Sequence, residues 1–203
     1  FEITRKCNMK CLHCMRGEAQ DLTISKQVID ECLDNIAGMY DFILTGGESF
    51  LEPDMIEYLF DEIIRREITV YGFSCVTNGS EKVAKAWNRL ADYIAARYKL
   101  TEDAEGDRKY LRSIGRITVS YDKYHQLEYD ALETVKWYRQ YLNNHCIALR
   151  ENLEENETIH ALGRVLENDD IMRSGKIDYV VCPHRISLLK DTNMVETGVQ
   201  VVL

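Results

Sequence analysis

Strand-like and helix-like stretches alternate along this chain, and that alternation constrains its fold more than any other feature. DFILTGG (41–47), VYGFSCVTNG (70–79), GRITVSYD (115–122), HCIALR (145–150) and KIDYVVC (176–182) have the length and β-branched content of buried strands, and FEIT at the start is a shorter one. Helical spacing fills the gaps. Val28, Ile29, Cys32, Leu33 and Ile36 fall on one face, as do Met55, Ile56, Leu59, Phe60, Ile63 and Ile64. A third helix is read from Glu81 to Leu100 through Val83, Trp87, Leu90, Ile94 and Tyr98, a fourth after Asp130 and a fifth after Glu155. Ser25 and Ser80 are candidate N-caps, Pro53 suits a first helical turn, and Gly38 is placed to end its helix.

Strict alternation predicts parallel strands joined by right-handed crossovers, hence an α/β fold. About six units fall short of the eight that close a full barrel, so the expected architecture is a partial (β/α)6 barrel, with a doubly wound sheet as the alternative. Either one gathers function at the carboxyl ends of the strands. TEDAEGDRK (101–109) reads as a solvated loop. RISLLKDTNMVETGVQVVL leaves the β-α pattern, and its two apolar runs around Asp191-Thr192-Asn193 suggest a hairpin. The expected division is a core over 1–182 and a C-terminal hairpin, or the start of a longer extension, over 183–203. Both ends read as interior stretches, so the natural chain is expected to continue.

With 203 residues, 45% of them hydrophobic, one core of ordinary size is expected. The net charge of -9 argues against a general nucleic-acid or membrane-surface binder. Seven cysteines, an odd number with three grouped near the start, suit a reducing cytoplasm and one metal site better than a disulfide framework.

The grouped cysteines are Cys7, Cys11 and Cys14 in CNMKCLHC. Thiolates on a tight loop are soft ligands for zinc or for an iron–sulfur cluster. A structural zinc takes four ligands, and the nearest fourth, His13, lies directly beside Cys14, where joint binding is awkward. Three cysteines alone leave one iron of a four-iron cluster open to a small molecule.

FEITRKCNMKCLHC resembles the signature of radical S-adenosyl-L-methionine (SAM) enzymes, a Cys-x3-Cys-x2-Cys loop after the first strand. The resemblance implies a 4Fe-4S cluster on Cys7, Cys11 and Cys14, with SAM on the unique iron. It also implies reductive cleavage of SAM to a 5′-deoxyadenosyl radical that abstracts hydrogen, and a low-potential electron donor such as flavodoxin or ferredoxin. LTGGES (44–49) resembles the family's GGE motif, which puts Gly46, Gly47 and Glu48 at the methionine ammonium, although Ser49 stands where proline is usual. VTNGS (76–80) and ITVSYD (117–122) resemble the ends of the third and fourth strands, which adds Thr77, Asn78, Ser120 and Asp122 to the SAM pocket. Arg150, ending the fifth strand, is a candidate partner for SAM's carboxylate. The cysteine loop is most similar to SPASM-type peptide maturases and molybdenum-cofactor-type members, which implies a peptide or small-molecule substrate. CPHRISLLKDTNMV resembles the opening of such an extension but holds only Cys182, so no auxiliary cluster is expected.

Plainer readings stand beside these. Gly46, Gly47 and Glu48 are also what a tight strand-to-loop turn uses, and Asn78-Gly79 a simple turn. Cys32, Cys75 and Cys146 read as buried thiols, and His125 as a loop residue near the mouth of the site or in solvent. The alternative to an enzyme is a zinc- or cluster-stabilised binding module without turnover.

Overall fold

The computed structural model describes residues 1–101, 103–121, 125, 130–143, 147–151, 159–160, 164, 177–178, 186–189 and 194–197, the strands from 147 onward by their backbone alone. Five strands, β1 (Glu2–Thr4), β2 (Gly38–Gly46), β3 (Thr69–Thr77), β4 (Gly115–Tyr121) and β5 (Ile147–Glu151), form one sheet in the order in which they occur in the chain. Every neighbouring pair is parallel. Four helices, α1 (Lys26–Asp34), α2 (Pro53–Arg65), α3 (Lys85–Arg97) and α5 (Ala131–Tyr141), supply the connections, and a shorter α4 (Glu105–Leu111) precedes β4. A doubly wound sheet reverses its strand order part-way; this one never does, so it has the build of an open barrel.

Alternation along the strands gives the sheet two unlike faces. Ile3, Phe42, Leu44, Phe73, Cys75, Ile117 and Val119 are buried in one cluster with Ile29 and Leu33 of α1, Ile56 and Phe60 of α2, Trp87 and Ile94 of α3 and Tyr138 of α5. The helices therefore cover one side. Fully buried side chains such as Phe60, Trp87 and Ile94 each contribute about 2 kcal/mol by leaving water. The intervening residues, among them Glu2, Thr4, Ser74 and Ser120, are polar though buried, while Ile43 and Val76 are exposed.

Local signals act as read at some ends and not at others. Ser25 Oγ accepts from the Val28 amide at 3.2 Å, Asp130 accepts from the Leu132 amide at 2.8 Å, and Pro53 opens α2. Gly38 begins β2 instead of ending α1, because Asn35 already closes that helix: its amide bonds back to Cys32 and its side chain donates to Glu31 O at 2.7 Å. Ser80 is not an N-cap. Its amide donates to Asn78 Oδ1 at 2.9 Å in a turn, and α3 starts five residues later at Lys85. The stretch read as a solvated loop holds α4, with Glu105 and Asp107 in the first turn and Arg108 and Lys109 in the last, which is the charge order a helix dipole favours.

Beyond β5, β6 (Ile159–His160) pairs in parallel with β7 (Ile177–Asp178) in a separate small sheet. The sixth expected strand thus has its described part outside the main sheet, and Ile159–His160 is strand where helix was expected. β8 (Ile186–Leu189) and β9 (Met194–Thr197) pair antiparallel, as the expected hairpin requires. Among the described residues, no helix is long and apolar enough to cross a membrane.

Candidate metal centre and cofactor site

The site is assembled where β1, β2 and β3 end. The cysteine loop leaves β1 and runs against the turn that follows β2: Gly47 N donates to Thr4 O and Glu48 N to Lys6 O, both at 2.8 Å. This explains the two glycines. A Cβ on Gly46 would lie 2.1 Å from Thr4 O, one on Gly47 2.1 Å from Lys6 O, and Gly46 also has φ +144°. The backbone they approach closely is the end of β1 and the Arg5-Lys6 stretch that leads into the cysteine loop. Ser49 fixes the turn without proline, since its Oγ donates to Thr45 O at 2.9 Å and it opens a 3-10 turn over Ser49–Leu51.

Glu48 is 1% exposed and its carboxylate is used by the protein. It accepts from Phe50 N at 3.1 Å, Thr77 Oγ1 at 2.8 Å and Asn78 N at 2.6 Å, bracing the end of β2 against the end of β3. Burial pushes its carboxyl above the ordinary range, against the pull of those three donors. Asn78 continues the brace, donating from Nδ2 to Asn8 Oδ1 at 2.8 Å and so reaching the residue after Cys7.

The cysteine loop is held on other sides too. Arg16 ion-pairs with the buried Glu2, which also accepts from Arg5 Nε at 2.6 Å, and Arg16 Nη2 donates to Thr45 Oγ1 at 2.8 Å. Arg164, 8% exposed, donates from its amide to Cys14 O at 3.0 Å and from Nη1 to Cys11 O at 3.4 Å. His13 meets His125 edge to face, ring centroids 4.9 Å apart, which sets His125 beside the loop.

Cys7, Cys11 and Cys14 line one cavity of about 280 Å3 together with Met9, Arg16 and Gly47. The Met9 amide donates to Cys7 Sγ at 3.4 Å. Burial raises the Cys7 thiol above its usual range, and the Met9 amide and the Arg164 charge oppose that. An all-thiol donor set on one loop, with an amide hydrogen bond to sulfur, fits an iron–sulfur cluster. Among the described residues, no group of three or more His, Cys, Asp and Glu side chains stands close enough to hold a single metal ion; the thiols share the cavity instead.

The profile of the radical SAM superfamily matches residues 1–162, which include the cysteine loop and all five strands of the sheet. The chain belongs to the radical SAM superfamily. Its members are enzymes, and this radical SAM chain is 34% identical over 89 residues to GTP 3′,8-cyclase of Lactiplantibacillus plantarum, covering 39% of this chain and 25% of that one. It is 37% identical over 65 residues to the antilisterial bacteriocin subtilosin biosynthesis protein AlbA of Bacillus subtilis, covering 29% of this chain and 14% of that one. The chain therefore spans about a quarter or less of these curated relatives. Among solved structures, Streptococcus suis SuiB bound to precursor peptide SuiA aligns with 74% of this chain and 38% of that one, at 16% identity and a TM-score of 0.36.

Within the radical SAM core, Gly46, Gly47, Glu48, Thr77 and Asn78 come together with the cysteines. Ser120 is buried at the end of β4 and is in register with Arg150 of β5. The Arg150 side chain and Asp122, Cys146 and Cys182 lie outside the described residues. Asn8, Arg16 and Arg164 were missed by sequence reasoning. Asn8 is one of the unspecified positions between the signature cysteines, Arg16 lies just after them, and Arg164 is 150 residues from its partner Cys14 in sequence, at 164 against 14.

Proposed function

We propose that Cys7, Cys11 and Cys14 hold a 4Fe-4S cluster and that Gly46, Gly47, Ser120, Asp122 and Arg150 form the pocket for SAM. Bound together and reduced, these groups supply cleavage of SAM to methionine and a 5′-deoxyadenosyl radical for hydrogen abstraction. The observation that carries the reading is the single cavity shared by the three thiols and Gly47, in a chain of this superfamily. The protein's own part is to place and enclose. Gly46 and Gly47 let the β2 turn lie against the stretch that leads into the cysteine loop, and Glu48, Thr77 and Asn78 fix its height. In this reading Glu48, Thr77 and Asn78 act on SAM through the backbone they position.

The electron donor is a flavodoxin or ferredoxin, and the compartment is the reducing cytoplasm that such a cluster needs. A peptide is the substrate class we assign first, because the chain is similar over 65 residues to AlbA, named for bacteriocin biosynthesis; a nucleotide is the second, because of the similarity to the GTP 3′,8-cyclases.

Anaerobic reconstitution followed by iron and sulfide analysis tests the cluster, and dithionite plus SAM tests turnover. The expected result is four irons and four sulfides per chain at most, release of 5′-deoxyadenosine, and loss of both in Cys11→Ala. A colourless protein that takes up zinc, or a cluster-bearing protein that never yields 5′-deoxyadenosine, would instead mark a binding module.

A further inference from the structure

We propose that Arg164 is a positioning residue of the cysteine loop, one that holds Cys11 and Cys14 in place and raises the reduction potential of the cluster proposed for them. This rests on the cluster reading above. Arg164 lies two residues beyond the stretch matched to the superfamily. Three contacts converge on it: its amide donates to Cys14 O at 3.0 Å, Nη1 to Cys11 O at 3.4 Å, and Nε to Glu18 Oε1 at 3.0 Å. The loop from Cys11 to Glu18 is thus spanned by one side chain and its backbone.

The charge balance at this point is uneven. The Arg164 side chain is 10% exposed while its carboxylate partner Glu18 is 72% exposed, so water screens the anion far more than the cation. A buried guanidinium held by one carbonyl, Cys11 O, and one solvated carboxylate leaves a net positive potential beside Cys11 and Cys14. Reducing a cluster adds one negative charge, which a nearby cation stabilises, and charge and hydrogen bonding around the sulfurs are the levers that set such potentials.

The test uses the reconstituted protein and its Arg164→Gln, Arg164→Lys and Glu18→Gln variants. Redox titration followed by electron paramagnetic resonance gives each midpoint potential. In Arg164→Gln the ratio of reduced to oxidised cluster at a fixed potential should fall about tenfold, a shift of about 59 mV to more negative values. Glu18→Gln should move it the opposite way. Arg164→Lys keeps the charge and most of the potential but, lacking the fork, loses iron to a chelator faster than wild type. Amide hydrogen exchange over residues 11–17 of the iron-free protein should be faster in Arg164→Gln, a readout that needs no cluster. Opposite shifts in Arg164→Gln and Glu18→Gln support the proposal. Unchanged midpoint potentials in variants that carry a full cluster, or shifts of the same sign, overturn it, as does unchanged exchange in the iron-free protein. Wild type that takes up no cluster refutes the cluster reading, and exchange then decides the positioning role. If Arg164→Gln does not fold, Arg164→Lys and Glu18→Gln carry the comparison.

Discussion

Replacing Gly47 with alanine separates two reasons for a glycine at this turn. If Gly47 is there to let a ligand approach, an added methyl group leaves the empty protein as stable as before and weakens SAM binding alone. The structure says otherwise, since the new Cβ would stand 2.1 Å from Lys6 O and 2.7 Å from Lys6 C, against a practical minimum of 3.0 Å. The two segments must part by about 0.9 Å, the difference between 3.0 and 2.1 Å. That separation would stretch Gly47 N to Thr4 O and Glu48 N to Lys6 O from 2.8 Å to beyond hydrogen-bonding range. Two lost bonds cost about 1 kcal/mol each, and a partly buried amide left without a partner adds about 1–3 kcal/mol. Lower backbone entropy of the unfolded alanine chain offsets about 0.4–1 kcal/mol. The net expectation is a loss of about 3 kcal/mol. Urea unfolding of the iron-free protein measures it, with Gly106→Ala as the internal control: Gly106 sits in α4 with nothing within 4 Å of its added Cβ, so that change should stabilise by up to about 1 kcal/mol. If Gly47→Ala unfolds at the same urea concentration as wild type, the close backbone packing is not what requires glycine there.

Glu62 accepts from Arg65 and Arg66, which hold its carboxyl down at about 2, so it adds stability above the ordinary 4.5 that is lost as pH falls toward 2. The stability gap between wild type and Glu62→Gln, read by urea unfolding, should shrink over that descent. Glu48 has the opposite sign. Burial raises its carboxyl above 4.5, so the folded protein retains a proton that the unfolded chain has released, and stability falls as pH rises through the raised value. The gap between wild type and Glu48→Gln should be largest near pH 4.5 and narrow at higher pH; a widening gap would contradict the assignment. Trp87→Phe removes the 2.8 Å bond from Nε1 to the buried Gly115 O and should cost about 2 kcal/mol in thermal or urea unfolding without changing iron content.

The fold was legible where one local signal had no rival. Phe42, Leu44, Phe73, Cys75, Ile117 and Val119 keep both the apolar character and the period of strands, and they form the helix-covered face of the sheet. The serine at 80 looked like a cap, yet Asn78 captured its amide first, and the glycine at 38 looked like a stop, yet Asn35 had closed the helix. In both cases a side chain two or three residues upstream won the same backbone groups. The mixed charges of 101–109 hid α4 because its ends, not a stripe of apolar residues, carry its helical signal. At the site, the cysteines and the GGE turn were readable because they are contiguous. The partners that fix them were not: Asn8 meets Asn78 across 70 positions and Arg164 meets Cys11 across 153, and no spacing rule links residues that far apart.

Because each crossover advances the sheet by one strand in the same direction, the chain lays its strand ends side by side in the order in which it is written. The cysteine loop is therefore at one margin of the row, and each later strand adds a position farther from it. The brace between Glu48, Asn78 and Asn8 joins only the near strands, so it does not depend on what stands at the ends of β4 and β5. Such a layout lets the packing around the cysteine loop stay fixed at the near margin whatever is built at the far one.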